Sequence, residues 1–455
     1  MNNSSDIIQQ VLSKITPSKK DRENIESALS HFISQVDEEI SSLKIKPTIT
    51  LVGSIAKDTY LKNVLDMDVF LLFSPKISKE IIAKTTLTIG RKLLADAEEC
   101  YAEHPYIRGM YQNYKFELVP GYKINNVSQK LSAVDRTPLH TTYVKNHLTE
   151  SQKQEVRLLK QFLRGINCYG AEAEIQGFSG YLCEILIIKF SSFQQFIHTA
   201  KNWQPQITLS LQDSSKQSFP EPLVFIDPVD PERNVASAVA PETLDLFIKS
   251  SKSFEDEPKI TFFFPNKIKP WNIDKIKEEI HSDKKQFIGI IFNKPNLINE
   301  NLYPQLRRTC RVICNESEQE GFQIDDITFF IDHIAKKIYI IIKTDKKPLS
   351  ETYTHTGPPL HLKEHFHKFY QKWNQNEIAC KQPFEKKGRA YVEVHRKYRN
   401  LIPFLSDNLS CFHFGRYVEE EIAEDVKIIQ DGELLSEELR IFWTTYLDNK
   451  MSWER

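Results

Sequence analysis

Glycine is scarce in this chain, 14 among 455 residues, so a Gly in a turn between apolar runs marks a place where the backbone needs one. Cysteine is sparse too. The seven are odd in number, scattered, and form no CxxC pair, which argues against a zinc knuckle or a disulfide scaffold and favours reduced thiols. Net charge is almost absent: 60 Lys and Arg stand against 61 Asp and Glu. That balance excludes a uniformly cationic coat for nucleic acid, though it leaves room for a local patch. No apolar window reaches the ~18–20 residues of a membrane span, and the N-terminal segment lacks the apolar run of a leader. A soluble cytoplasmic protein with no membrane partner is expected. What is present is 40% hydrophobic and 11% aromatic residues, enough for real cores, and a length that suggests about three domains.

The neutral total conceals opposed blocks. Residues 381–400 hold seven Lys or Arg against two Glu, and residues 416–440 hold three against nine acidic groups. A strand carrying the basic block is where nucleic-acid phosphates are expected to lie.

Hydrophobic periodicity divides the chain. Ile25, Leu29, Phe32, Val36 and Ile40 form one helical stripe. Strands are expected at Pro47–Val52, Val69–Phe73 and Lys115–Val119, the last ended by Pro120, with a helix from Ser78 to about Asp96. Residues 150–200 read as helical. Val156, Leu159, Phe162 and Leu163 share a face, and a second helix opens at Gly180 and continues through Phe190, Phe193 and Phe196. A polar linker covers 204–222, and Asp227-Pro228-Val229-Asp230-Pro231 reads as a rigid turn cluster. Beyond it, strands at Ile260–Phe264, Phe287–Phe292, Ile338–Ile342 and Ala390–Val394, with a helix at Leu302–Ile313, suit a split β-α-β sheet of ferredoxin or RRM type. The expected class is α/β (α+β), divided at 1–140, 141–256 and 257–455.

The chemistry concentrates in Gly53-Ser54, Asp66-Met67-Asp68 and Glu117. Residues two apart on a strand point to one face, so Asp66 and Asp68 stand side by side. Paired carboxylates repel unless a cation sits between them, and hard oxygen ligands suit Mg²⁺. Glu117 on a neighbouring strand is a third candidate ligand for a two-metal phosphoryl-transfer site. Gly53-Ser54, at a strand-to-helix turn, offers backbone N–H groups and a hydroxyl to a triphosphate, and Lys57 follows. A lone DxD or a lone Gly-Ser is most often a solvated turn or a cap; the ordered combination is the signature of polymerase-beta-type nucleotidyltransferases.

The chain resembles the archaeal-type (class I) CCA-adding tRNA nucleotidyltransferases in LVGSIAKDTYLKNVLDMDVFLLF (51–73), YAEHPYIRGM (101–110), SAVDRTPLH (132–140), EVRLLKQFLRGINCYGAE (155–172), GFSGYLCEILII (177–188), DPVDPERNVAS (227–237) and NLYPQLRR (301–308). The likeness thins beyond about residue 320. The resemblance implies a polymerase-beta-like head, a helical neck, and a C-terminal body and tail that bind tRNA. It implies Asp66, Asp68 and Glu117 as Mg²⁺ ligands and catalytic groups, where the family more often has Glu, Asp and Asp. Ser54, Lys57, His140, Lys160 and Tyr169 would contact the phosphates and sugar of the nucleotide, and Arg233 the edge of its base; the family usually has Arg where Lys57 stands. Implied partners are the tRNA 3′ end, CTP and ATP, and a homodimer is one state the family adopts.

Taken one at a time, His140 also reads as a turn residue, Tyr169 as helix-end packing, Lys160 as solvated surface, and Arg233 as a partner for Asp227 or Asp230. Two rival functions stay open at this point: a poly(A) polymerase or other terminal nucleotidyltransferase, and a catalytically idle RNA-binding relative. Cys310 with Cys314, and His361, His365 and His367, lack the second cluster a metal site needs.

Overall fold

The computed structural model describes residues 4–43, 45–63, 66–101, 103–212 and 217–455. It contains two compact units: one runs to Lys267 and includes Lys450–Arg455, and the other spans Ile268–Asn449.

The first unit opens with helices α1 (Ser4–Ile15) and α2 (Lys19–Ser41). Ser18 and Asp21 cap α2 reciprocally, and Ile25, Phe32, Val36 and Ile40 are buried as the stripe requires. Then come β1 (Thr48–Leu51), the single turn α3 (Gly53–Ala56), β2 (Asp66–Phe73), α4 (Lys79–Leu93), β3 (Ala95–Tyr101), β4 (Pro105–Tyr111) and β5 (Tyr114–Tyr122). They form one sheet in the order β1-β2-β5-β4-β3, parallel only between β2 and β5. Its core face packs on α2 and α4. Two expectations need correction. The hairpin of β3 and β4 is additional to the expected strands; β3 is almost wholly exposed and carries no apolar alternation. And Pro120 does not end its strand: β5 runs through it to Tyr122, because pairing with β4 stops at Leu118 and the missing N–H is not needed there.

Helices α5 (Thr137–His147), α6 (Glu150–Gly165), α7 (Gly180–Phe190) and α8 (Phe193–Ala200) follow. The last two are separate helices, not one continuous face, because Ser191 adopts a left-handed φ of 68° between them. The stretch read as a linker contains β6 (Ile207–Leu209), which pairs with β7 (Leu223–Phe225); its residues 213–216 lie outside the described residues. Helix α9 (Pro241–Asp256) completes a second core, which also takes Ile7, Val11 and Ile15 of α1. The expected strand at 260–264 is instead a 3₁₀ turn, Ile260–Phe262. Phe262 and Phe263 pack among Phe162, Phe254 and Trp453, and a short apolar run has no period that separates a strand from such a plug.

In the second unit, α10 (Ile273–Ser282), β8 (Lys285–Asn293), α11 (Asn299–Gln319), β9 (Ile324–Asp332) and β10 (Lys337–Asp345) come first. Strand β10 lies antiparallel between β8 and β9, so a split β-α-β unit is present, but as β8-α11-β9: its second strand is β9, absent from the expected strands, and the expected strand at Ile338–Ile342 is the β10 inserted between the two. The fourth strand differs from expectation. Next in sequence are β11 (Thr352–Pro359), α12 (Lys363–Trp373), β12 (Phe384–Lys386) and β13 (Arg389–His395), which make a separate sheet ordered β11-β13-β12. Helices α13 (Leu401–Asn408) and α14 (Arg416–Glu424) lead to β14 (Val426–Gln430), the true neighbour of β8, and α15 (Arg440–Leu447) closes the unit. Burial gives the reason. Strands β8 and β10 are covered on one face by α11, α13 and α14 and on the other by α10 and α15, which requires a continuous run such as FIGIIF. In β13 only Ala390, Val392 and Val394 are buried, the alternation of a sheet covered on one side.

Candidate active site

Gly53 begins α3 with a left-handed φ of 71°, directly after β1. A Cβ there would sit 1.8 Å from Asp68 Oδ2, so the scarce residue stands where the turn must pass a carboxylate. The register of β2 and β5 pairs Asp66 with Lys115 and Asp68 with Glu117. Residues i and i+2 share a strand face. The four side chains therefore form a grid, three carboxylates and one ammonium. Lys115 Nζ is 3.2 Å from Asp66 Oδ1 and 3.9 Å from Glu117 Oε1.

The charges are strained by their surroundings. Burial, with the neighbouring charges of Glu117 and Asp66, pushes the Asp68 carboxyl up to about 7. Burial also raises Glu117, opposed by Lys115 and reinforced by Asp66. Carboxylates that resist ionising together are a fit for a divalent cation, which would be held by Asp68 with help from Asp66 and Glu117. Among the described residues no group of three acidic, His or Cys side chains stands ready-closed around a metal position.

Proton linkage gives a prediction. Without metal, folded Asp68 keeps its proton up to about pH 7, whereas the unfolded chain releases it near the ordinary carboxylate value. The folded state binds the extra proton between these limits, so stability is lost as pH rises through that window. In EDTA, Tm is expected to be lower near about pH 8 than near about pH 5.5 on this account. The drop is expected to be smaller in Asp68→Asn and to be reversed by divalent metal; an identical drop in the variant would contradict the assignment.

The same cleft, of 570 Å³, is lined by Gly53, Ser54, Lys57, Asp66, Asp68, Glu117, Lys160, Tyr169 and Tyr181, together with Arg164, Glu172 and Glu184. Its cationic part rests on a carboxylate outside the set expected from the sequence. Glu184 on α7 is fully buried and accepts hydrogen bonds from Lys57 Nζ (2.5 Å), Thr59 Oγ1 (2.5 Å) and Lys160 Nζ (3.3 Å). Burial pushes its carboxyl up, but the Lys57 and Lys160 charges outweigh this and hold it below the ordinary value. Lys160 is thus buried rather than solvated surface, and also donates to Thr59 O and Oγ1. One helical turn earlier, buried Arg157 donates to Tyr60 O, Asp58 O and Asp58 Oδ1. Two cations at i and i+3 on α6 so grip residues 58–60, and with them Lys57.

His140 and Arg233 are not among the described residues lining the cleft. They meet beside it on Asp227, at 2.8 and 2.9 Å. Tyr181 connects the two places: it lines the cleft, donates to Asp227 at 3.1 Å, and stacks on His140 with centroids 4.0 Å apart. Burial works against the Asp227 charge, yet the bonds from His140, Val229 N–H and Arg233 bring its carboxyl down to about 2. Burial lowers His140 in spite of this partner. Asp230 is likewise held by Lys130 and Arg136. The sequence did offer signals for the missed residues: Glu184 is the one charge in the run GYLCEILII, and Asp227 opens the DPVDP cluster.

A mixed sheet presenting a glycine turn and three carboxylates to one cleft defines a nucleotidyltransferase of the polymerase-beta type, and residues 33–140 match the family described as nucleotidyltransferase domain. Residues 154–264 match "tRNA nucleotidyltransferase, second domain" and residues 284–431 "CCA-adding enzyme, C-terminal domain". The CCA-adding enzyme of Haloarcula marismortui is 30% identical over 460 residues, covering 98% of each chain. That of Picrophilus torridus is 33% identical over 422 residues, 93% of this chain and 95% of its own. The chain belongs to the family of CCA-adding enzymes.

Proposed function

We propose that this chain completes the 3′ end of tRNA, adding C, C and A from CTP and ATP without a nucleic-acid template. The observation that carries the reading is one cleft holding both the carboxylates Asp66, Asp68 and Glu117 and the cations Lys57 and Lys160. Two ammonium groups against the single Glu184 carboxylate leave a positive charge for a triphosphate. Ser54 lies beside them and offers its hydroxyl to the same phosphates. Tyr169, partly buried in the cleft wall, supports the ribose. Arg233 is fixed at one end by Asp227 and keeps further guanidinium donors for the base edge, while His140 holds Asp227 in place.

In each cycle the tRNA 3′-oxygen bonds to the α-phosphorus, the bond from that phosphorus to the bridging oxygen breaks, and pyrophosphate leaves with the electron pair. Glu117, raised above the ordinary carboxylate value, takes the hydroxyl proton on a carboxylate oxygen. Mg²⁺, when bound by Asp66, Asp68 and Glu117, supplies charge neutralisation around the α-phosphate. In the second unit, the turn Lys387-Gly388 joins β12 to β13 with both residues at positive φ, so Lys386, Lys387 and Arg389 stand exposed at a hairpin tip suited to tRNA phosphates. All seven cysteines are free, the state kept in a reducing cytoplasm, and no described helix is long and apolar enough to cross a membrane.

The test is incubation of a tRNA lacking its CCA end with each nucleoside triphosphate alone and in combination. CTP alone is expected to add cytidines and stop, and ATP to be used only after them. Sustained growth on ATP alone, with no use of CTP, would overturn the reading.

A further inference from the structure

Lys115 has no assigned part in the chemistry above, yet it is one corner of the charged grid. It sits directly across from Asp66 in the β2–β5 register and two residues from Glu117 on the same strand face. Its ammonium reaches both carboxylates, at 3.2 and 3.9 Å. Its flanking residue Phe116 is buried on the opposite face, which fixes the direction in which Lys115 points. The side chain is partly exposed, so it has room to swing away. A positive charge thus already stands between two of the three carboxylates.

We propose that Lys115 is a built-in counter-cation of the carboxylate cleft, which competes with divalent metal for Asp66 and Glu117 and keeps the nucleotide-free protein's metal affinity low. The inference rests on the reading of those carboxylates as metal ligands. One ammonium between Asp66 and Glu117, with Asp68 beside them, leaves this acidic grid net negative, so metal is still attracted. It must, however, displace an ion pair and then remain beside a like charge. The triphosphate changes the balance: it brings its own negative oxygens to the ion and offers the released ammonium an alternative partner. Metal then loads with the nucleotide rather than ahead of it.

The experiment is titration of Mn²⁺ into the full-length protein without nucleotide or tRNA, followed by calorimetry or by the EPR signal of free Mn²⁺. Lys115→Gln is expected to bind Mn²⁺ at least about fivefold more tightly than the wild type, the effect of removing one unit charge near the ion. Lys115→Arg, which keeps the charge, is expected to stay near the wild-type value. With saturating nucleotide the difference between Lys115→Gln and wild type is expected to shrink. Unchanged or weaker binding in Lys115→Gln, or equal tightening in Lys115→Arg, would overturn the proposal. Asp68→Asn distinguishes the metal ligands from the counter-cation. Loss of Mn²⁺ binding there upholds the ligand reading whatever Lys115 does, and full binding there removes the ligand reading and the role of Lys115 together.

Discussion

Asp68→Asn is expected to lower CCA addition by about a thousandfold or more while tRNA affinity stays within about a factor of two. The substitution keeps the shape of the side chain and removes only its charge. Asp68 lies at the closed end of the acidic grid, where a Cβ on Gly53 would strike it and where Glu117 is its cross-strand neighbour. Neither neighbouring carboxylate is free to replace it: Asp66 is half exposed and engaged with Lys115, and Glu117 faces the same ammonium. The tRNA-phosphate surface proposed above lies in the other unit, which is why binding is expected to survive. Gel-based extension of a tRNA lacking CCA, with a filter-binding assay on the same preparation, measures both quantities. A variant that retained a tenth of the wild-type rate would mean that Asp68 does not hold the reacting centre.

Glu184→Gln is expected to cost about 3–5 kcal/mol of stability, because it strands two ammonium groups in a site where the carboxylate has no exposure. Thermal unfolding should show a Tm lower by several degrees, and the KM for CTP and ATP should rise as Lys57 and Lys160 lose their anchor. A triple variant separates the electrostatics from the function. With Lys57→Met, Lys160→Met and Glu184→Leu together, no charge remains to be stranded, so stability is expected to recover much of the loss while activity does not. Recovery of activity along with stability would place the triphosphate elsewhere.

These two sites differ in how far the sequence exposed them. The acidic grid is short-range: Asp66 and Asp68 share a strand, a two-residue period puts them on one face, and Glu117 needed only a neighbouring strand to join them. The Glu184 network is assembled from residues more than a hundred positions apart, 57 and 59 against 184, so local periodicity carried no trace of it. What the sequence did show was an isolated charge in an apolar helix, which is costly unless paired. The same difference runs through the fold. The stripe of α2 and the core strands β8 and β10 stood out because their periods match their burial. The exposed β3 has no such period, Phe262 and Phe263 are apolar without being a strand, and β14 joins its sheet only after an intervening small sheet and two helices.

Arg233 and His140 fall between these cases. Their resemblance to family positions marked them, and the structure adds that both are tied to buried Asp227 and reach the cleft through Tyr181. Base selection on this account belongs to a hydrogen-bonded group of four side chains rather than to a lone guanidinium.

The most direct measurement is the sequence of the 3′ ends made by the full-length protein from a tRNA lacking CCA, with all four nucleoside triphosphates present at equal concentration and Mg²⁺ supplied. The account predicts that the products end in CCA and grow no further. Tails of repeated adenosine, or ends carrying U or G at comparable frequency, would contradict it.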